Sequence, residues 1–470
     1  MIGSRYSAAV AALVALGCAT PQTADTGPGE AAPSADRAAD PLVARARAIH
    51  DRVLAMDTHV DIPNNFATAE VDPGVRGNAQ VDLVKMRQGG LDAAFFIVYV
   101  GQGPRTPEGN QRAKDAAMNK FNAIHRMAEE MHPDRIAIAY RADDVERIHR
   151  SGKLVAAIGI ENGYVIGNDL SLIKTYFDLG GRYMTLTHNG HNDIGDSNTP
   201  SEPEHNGLSP FGEQVVREMN RVGMMVDISH VGKKTMLDAV RISRAPVIAS
   251  HSSTSAFANV PRNMDDEQLL ALRQNGGVMQ TVAFRGYVKV PPPARDSALR
   301  ALRAEFGVTT GRGGRGGGGG RGGATGGAGR AGGGAGAGGA AGTGGVTGAG
   351  AAQPPVGITV DELPPDRRAE YDRRLAAIEV QWPLATVQDF VNHIDHAVKL
   401  IGIDHVGISS DFDGGGGVSG WDNASETFNV TLELVRRGYT EEQIAKLWGG
   451  NLIRVWREVE RVSRQMAEQH

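Results

Sequence analysis

The sequence contains a single cysteine, Cys18, among its 470 residues. No disulfide can therefore form within the chain, and no cluster of cysteines can bind a metal ion. Charge of one sign is also scarce: the formal net charge is −5, too small to indicate binding to nucleic acid or a basic membrane-binding surface. After the first 18 residues, no apolar run is long enough to span a membrane. Any metal site in this chain must use histidine, aspartate and glutamate.

The N-terminal segment has the pattern of an export signal. Arg5 precedes an apolar run, and Cys18 follows a glycine at the end of that run. Residues 1–18 resemble a bacterial lipoprotein signal, in which the cysteine becomes the lipidated first residue, although Ala15 stands where leucine is usual. A plain signal peptide is the alternative. We expect an exported protein, lipid-anchored at the periplasmic side or outer membrane of the cell envelope or otherwise secreted, with residues 19–40 as a disordered tether.

Residues 307–352 are almost entirely glycine and alanine, with a few threonines and arginines. Such a segment cannot bury apolar area, so a long disordered insertion is expected. Its arginines raise the alternative of an RNA-binding segment, but no aromatic residue lies among them. We therefore expect a surface insertion without nucleic-acid binding. The arginines are Arg312, Arg315, Arg321 and Arg330.

Outside these segments, short apolar runs alternate with helical patterns, which favours an α/β fold with a parallel sheet. Eight runs are strand candidates, and eight β/α units predict a TIM-type (β/α)8 barrel over residues 41–470, with the insertion before the last strand. Thr440 and Gln443 have the spacing of a capping box that opens the last helical region. The strand candidates are 52–59, 92–100, 154–161, 182–188, 224–230, 246–251, 276–284 and 405–412.

Six of the eight predicted strands end in a side chain that can bind a metal or transfer a proton. His59 and Asp61 show the pattern best, because side chains two apart in a strand point to the same face. In a TIM barrel the carboxyl ends of all strands surround one mouth, so these residues should converge. A single histidine or aspartate there is more often a cap, but the recurrence favours a site. The residues are His59, Asp61, Glu161, His188, His230, His251 and Asp411.

Three imidazoles and two carboxylates, without thiolates, suit Zn²⁺ or a similar divalent ion. Five ligands exceed the needs of one tetrahedral catalytic zinc. A pair of ions bridged by one carboxylate, with a hydroxide shared between them, fits this number better.

Several long segments, in order, resemble the membrane dipeptidase (renal dipeptidase) family, zinc peptidase family M19, among the amidohydrolase-like barrels. The resemblance covers about residues 45–465 apart from the glycine-rich insertion. The long connection over residues 285–385 is a departure that concerns loops rather than the metal centre. The segments are DTHVDIP, IGIENG, YMTLTHNGHNDIGDS, GLSPFGEQVVREMNRVGMMVDISHV, PVIASHSSTSA, RNMDDEQL and HIDHAVKLIGIDHVGISSDFDG.

The resemblance implies a site with two zinc ions per chain. It implies that Glu161 bridges the two ions, that two further residues bind the first ion and that two others bind the second. The residues of the first ion are His59 and Asp61, and those of the second are His230 and His251.

The resemblance also implies roles for three further positions. His188 and Arg262 would contact substrate, with His188 stabilising the oxyanion, and Asp411 would transfer protons. Glu161, His188 and Asp411 are thus the expected catalytic residues. Arg262 suits the free carboxylate of a dipeptide, since guanidinium pairs with carboxylate through two hydrogen bonds, and we expect it at the rim of the mouth.

Three functions are compatible with these residues. The first is a zinc dipeptidase acting on free dipeptides, and the second is a related hydrolase of another amide or a lactam. The third is a non-catalytic, surface-anchored binding protein, which would be expected to lack some ligands, and every expected ligand is present. Family members often form dimers, so a homodimer is a further expectation. Membrane contact is expected only through the lipid anchor.

Overall fold

The computed structural model describes residues 40–308 and 358–469. The predicted signal segment 1–18 with Cys18, nearly all of the predicted tether 19–40 and nearly all of the predicted insertion 307–352 lie outside the described residues. Within the described ranges, no helix is both long and apolar enough to cross a membrane.

In the described part of the chain, nine parallel strands form one sheet, and eight of them follow one another in the order β1-β2-β4-β5-β6-β7-β8-β9. The sheet closes on itself, because Val60 of β1 pairs with Phe412 after β9 and the Asp61 amide donates to the Phe412 carbonyl at 2.9 Å. A closed ring of eight parallel strands confirms the predicted TIM-type barrel. The strands are β1 Met56–Asp61, β2 Ala93–Tyr99, β3 Ile136–Ile138, β4 Leu154–Glu161, β5 Gly181–Thr185, β6 Met225–Asp227, β7 Ile248–Ser252, β8 Val278–Val282 and β9 Val406–Ser409.

Helices alternate with the strands, as the amphipathic patterns predict. Thr440 and Gln443 form the predicted capping box, each side chain accepting the other's backbone amide at 3.3 and 2.9 Å, and this box opens α14. The α-helices are α1 Pro41–His50, α2 Leu83–Gly89, α3 Pro107–His125, α4 Ala142–Arg150, α5 Ser171–Asp178, α6 Pro210–Val222, α7 Lys233–Ile242, α8 Asp266–Asn275, α9 Arg285–Val288, α10 Pro293–Phe306, α11 Pro365–Gln381, α12 Val387–Ile401, α13 Phe428–Arg436, α14 Glu441–Ala445 and α15 Asn451–Glu468.

The structure adds one strand to those predicted. Strand β3 pairs with Leu154, Val155 and Ala156 at the start of β4, and β5 pairs with β4 only further along, from Ile158. At three residues, β3 is too short to show an alternating pattern. Three predicted strands also end three residues early, because β5 stops at Thr185, β6 at Asp227 and β9 at Ser409.

The long connection before β9 contains a helix pair, which the sequence did not predict. Helices α10 and α11 pack around Phe306, whose ring lies 5.4 Å from that of Tyr371 in an edge-to-face contact. This pair has a small core separate from those of the barrel. Val308 and Ile358, the described residues on either side of the gap, form a β-bridge, so the chain leaves and returns at one place.

Large side chains fill the lower part of the barrel and support the site above. Trp456 of α15 contacts Phe95 of β2, with ring centroids 5.8 Å apart, and Phe95 contacts Tyr183 of β5 at 5.2 Å. All three side chains are fully buried. The Tyr183 hydroxyl in turn reaches His59, so the packed core ends directly beneath the predicted metal ligands.

Candidate metal centre and active site

A cavity of about 580 Å³ opens at the carboxyl ends of the strands. Almost every residue that the sequence predicts for the site lines this cavity, and His59, fully buried, lies against Glu161 in its floor. Cys18 lies outside the described residues. The lining residues predicted from sequence are Asp61, Glu161, His188, His230, His251, Arg262 and Asp411.

Glu161, the last residue of β4, lies at the centre of the donor cluster. Its Oε2 atom faces His59, 3.6 Å from Nε2, whereas its Oε1 atom faces His230 and His251, at 3.1 and 3.3 Å from their Nε2 atoms. The two oxygens of one carboxylate thus point to two different sets of donors. This is the arrangement that a bridging carboxylate requires.

The donor set on the Oε2 side contains a second carboxylate. Asp61 Oδ2 lies 3.7 Å from His59 Nε2, as expected for side chains two apart on a strand. A ligand atom of Asp411 lies within 4.8 Å of those of both residues. The neighbouring Gly414 permits this approach, because a Cβ there would collide with the carboxylates of Asp61 and Asp411.

Tyr183 determines which nitrogen of His59 faces the cluster. The Tyr183 hydroxyl donates to the Thr58 carbonyl at 3.0 Å, and it lies 3.0 Å from His59 Nδ1. Since the hydroxyl hydrogen is used on Thr58, Nδ1 of His59 must be the donor to the tyrosine oxygen. The Nε2 atom of His59 therefore faces the carboxylates, where it has no hydrogen-bond partner among the described residues. Burial lowers the pKa of His59, but the carboxylates of Glu161 and Asp61 outweigh burial and raise that pKa well above its usual value.

His251 is oriented in the same way by a buried serine and aspartate. The Ser250 hydroxyl donates to Asp227 Oδ2 at 2.6 Å and lies 2.8 Å from His251 Nδ1. His251 thus donates from Nδ1, and its Nε2 lone pair points to Glu161, as is usual for metal-binding imidazoles with a hydrogen-bonded second nitrogen. His230 differs, because its buried Nδ1 has no partner in the described part of the chain.

These donors fit divalent metal ions. The Nε2 atoms of His230 and His251 lie 2.9 Å apart, and Glu161 Oε1 lies close to both, so three donor atoms converge on one point. Ligands about 2.0–2.2 Å from a tetrahedral zinc lie about 3.4 Å from one another, close to the separations found here. An imidazole and carboxylate set without sulfur also matches the preferences of Zn²⁺ and similar ions.

Burial and neighbouring charges set the protonation states of the donor residues. Burial raises the pKa of Glu161, but the imidazoles of His188 and His59 outweigh burial and hold that pKa well below its usual value. Burial lowers the pKa of His230 and of His251 well below the usual value. Glu161 is therefore ionised and these two histidines are neutral, the states in which such groups bind metal.

The backbone is strained at two of these residues. His230 has φ of 65° and Asp411 has φ of 58°, in the left-handed region that residues other than glycine seldom adopt. Neither residue lies in a strand, since β6 ends at Asp227 and β9 at Ser409. Such strain clusters at active sites, where surrounding contacts hold a side chain in place. Here the turned backbone directs both side chains into the mouth.

Arg262 lies deeper than the predicted rim position. The loop after β7 folds back on itself through a bridge between Thr254 and Met264, and this leaves Arg262 only 7% exposed. Its Nη2 donates to the His251 carbonyl at 2.9 Å, while its buried Nε has no partner among the described residues. The guanidinium also lies over the ring of Tyr287, 5.2 Å from the centroid.

Tyr183 and Lys120 are among the lining or supporting residues that were not predicted from the sequence. Tyr183 lies inside the barrel, and strand periodicity cannot show that its hydroxyl reaches a ligand. Lys120 of α3 lines the cavity, and a signal for it exists: it has the helical spacing of the buried Ala113, Ala117 and Ile124. A charged residue within an apolar stripe is a reason to expect a functional contact.

A parallel barrel whose carboxyl-terminal mouth holds imidazoles and carboxylates has the architecture of a metal-dependent hydrolase. The family model of the membrane dipeptidases (peptidase family M19) matches residues 43–470, and the chain belongs to this family. The expectation from sequence is thus confirmed, and the chain is a metal-dependent dipeptidase.

Individual relatives agree with the family match. The dipeptidase tcpJ of Claviceps purpurea is 32% identical over 392 residues, which cover 82% of this chain and 70% of the relative. The probable dipeptidase PvdM of Pseudomonas aeruginosa has a crystal structure with a TM-score of 0.70 at 31% identity, covering 90% of this chain and 99% of the other. A Rhodobacter sphaeroides metallopeptidase liganded with a phosphinate mimic of L-Ala-D-Ala shares the fold, with a TM-score of 0.58 at 19% identity, 87% of this chain and 99% of the other being covered.

Proposed function

We propose that this enzyme hydrolyses free dipeptides at a binuclear zinc centre bridged by Glu161. The observation that carries the proposal is the division of the Glu161 oxygens between two donor sets, one with His59 and one with His230 and His251. Asp61 completes the first set. A single-ion site would need no carboxylate directed at two groups of ligands.

Zinc ions held by these residues would supply a nucleophilic hydroxide near neutral pH and polarise the scissile carbonyl. The protein residues act around that chemistry. His188 has its Nε2 atom 3.6 Å from Glu161 Oε1, and its ring lies 4.2 Å from that of His230. Burial lowers the pKa of His188, so the imidazole is neutral and can donate one N–H to the developing oxyanion.

Asp411 would transfer the proton to the leaving amine. Burial raises the pKa of Asp411 well above its usual range, and the nearby carboxylates of Asp61 and Glu161 act in the same direction. A carboxyl group of raised pKa can hold a proton near neutral pH and release it during the reaction. The position of Asp411 beside His59 and Asp61 supports this role, because the scissile bond would lie next to these donors.

Arg262 would select dipeptides over longer peptides by binding the free C-terminal carboxylate. The free carboxylate of a dipeptide lies one residue beyond the scissile bond, so a fixed cation near the metal ligands can recognise it. Arg262 is held by the His251 carbonyl and is buried in the cavity wall, where a charge-assisted pair is strong. A longer peptide would have no carboxylate at this distance.

The test combines metal analysis with a substrate panel. Purified enzyme should contain about two zinc ions per chain, lose activity with a chelator and regain it with Zn²⁺. It should cleave Ala-Ala faster than its C-terminal amide, an N-acetylated dipeptide or a lactam. Preferred cleavage of the lactam or the blocked dipeptides would instead favour a related amidohydrolase. No cleavage of any substrate by fully metal-loaded protein would favour a binding protein.

We also propose that the enzyme is exported and anchored by lipid on Cys18. Support comes from the apolar run after Arg5 and from the position of the lone cysteine. In a bacterial host, labelled fatty acid should be incorporated into the wild-type chain and not into Cys18→Ala. Equal labelling of both chains, or no labelling of either, would contradict the anchor.

A further inference from the structure

Lys120 is a buried cation in the wall of the catalytic cavity. It lies on the barrel-facing side of α3 and is 5% exposed. A lysine is almost never buried so completely unless its charge is paired. Packing alone therefore does not explain why a charged side chain is buried at this position.

The Lys120 ammonium makes only part of its possible hydrogen bonds with the described residues. One N–H donates to the Ile62 carbonyl at 2.8 Å, and the ring of Tyr99 lies 5.6 Å away. Among the described residues it has no further hydrogen bond and no carboxylate within ion-pair distance. An ammonium has three donors, so two remain for a ligand in the cavity. Burial lowers the pKa of Lys120, while Asp61 and Glu161 favour its charged form from further away. Both are proposed metal ligands, whose charge bound metal would neutralise.

Lys120 and Arg262 belong to opposite walls of the mouth. Lys120 is on the helix that follows β2, and Arg262 is in the segment that follows β7. In the closed ring, β7 is four strands from β2 in either direction. Glu161 and the histidines that it contacts line the same cavity between these two walls. A substrate whose carboxylate is bound to Arg262 and whose scissile bond lies at Glu161 therefore extends its N-terminal residue toward the wall of Tyr99 and Lys120.

We propose that Lys120 is a specificity residue that selects dipeptides with an acidic N-terminal side chain, aspartate or glutamate. The inference rests on the proposed function, since it assumes a dipeptide oriented by Arg262. A side-chain carboxylate would accept the two free N–H groups of the ammonium and supply the missing negative charge. A neutral side chain would leave this buried charge with its single partner.

The test compares Glu-Ala with Gln-Ala, which have nearly the same shape and differ in charge. Wild-type enzyme should show a kcat/KM about ten- to a hundredfold higher for Glu-Ala, the usual effect of one charge-assisted pair. Lys120→Met keeps the apolar stem and should bring this ratio close to one, whereas Lys120→Arg should keep a preference for Glu-Ala. Lys174→Met, at an exposed position in α5, is the control and should retain the wild-type ratio.

The ratio of kcat/KM for Glu-Ala to that for Gln-Ala in wild type tests the role of Lys120 even if Lys120→Met folds poorly without its bond to Ile62. Efficient cleavage of both peptides at equal kcat/KM would overturn the role of Lys120 and leave the proposed dipeptidase function intact. Preference for Glu-Ala that survives in Lys120→Met would also overturn it. Failure to cleave either peptide, or Ala-Ala, would overturn the proposed function and this inference together.

Discussion

The donor cluster and the α10–α11 pair are connected to the rest of the molecule in different ways. The donors lie on strands or just after them, and the barrel core orients them: Tyr183 fixes His59, and Ser250 fixes His251. The α10–α11 pair has its own small core around Phe306 and Tyr371, separate from those of the barrel. Changes inside the barrel should therefore reach the metal ligands, whereas changes around the helix pair should remain local.

Asp411→Asn should give the largest loss of turnover among the variants that keep the metal. The substitution preserves shape and removes the group that accepts and releases a proton. General acid–base groups contribute about 10²–10⁴-fold, so kcat should fall by that factor with the zinc content unchanged. Zinc analysis of the same sample is the control. A zinc content well below that of wild type would show that Asp411 is a ligand and not a proton carrier.

Arg262→Ala should weaken substrate recognition more than it affects the metal. Loss of one charge-assisted pair in a buried site lowers kcat/KM for a free dipeptide by about ten- to a hundredfold. The preference for a free dipeptide over its amide should disappear, and Arg262→Lys should restore part of it, since an ammonium lacks the planar fork. Retention of the wild-type preference in both variants would assign the carboxylate to another group.

Tyr183→Phe tests whether the barrel core reaches the metal ligands. Without the hydroxyl, His59 loses the bond that fixes its Nε2 atom toward the carboxylates. Removal of such a supporting partner lowers metal affinity by about 10–100-fold, which chelator competition can measure. Tyr176→Phe is the matched control, because among the described residues its buried hydroxyl bonds only the Val165 carbonyl, at 2.9 Å. Equal zinc affinity in both variants would disprove the role of Tyr183.

Replacement of residues 311–350 by a short Gly-Ser linker should have the smallest effect. The described residues at its two ends are bridged, since the Ile358 amide donates to the Gly307 carbonyl at 3.2 Å. Loop-closure entropy changes only with the logarithm of loop length. Dipeptidase activity and zinc content should stay at wild-type values in a standard kinetic assay. A large loss of either would mean that this segment contributes to the site.

The barrel was predictable because eight short apolar runs alternate with helical patterns along the chain. Strand β3 was missed, since Ile136–Ile138 is too short to show a period. Strand ends were placed too late at β5, β6 and β9, because each apolar run continues past the last sheet pair. His188 and His230 consequently lie in loops and not on strands.

The nature of the donors was predictable from residue type, but their support was not. His59 and Asp61 could be paired from their spacing, whereas Tyr183 is far from both in sequence and meets them only through barrel closure. The depth of Arg262 depends on a loop that folds back between Thr254 and Met264, which no periodicity describes. Such contacts arise from tertiary packing and leave no local pattern.

The metal content per chain shows whether Glu161 bridges two ions. Wild type, Asp61→Asn and Glu161→Gln should be dialysed against the same zinc buffer and analysed for metal per folded chain. If Glu161 bridges two ions, wild type should contain about two ions, Asp61→Asn, which weakens one set, an intermediate number, and Glu161→Gln almost none. A wild-type content of one ion, or a Glu161→Gln content equal to that of Asp61→Asn, would contradict this bridging role.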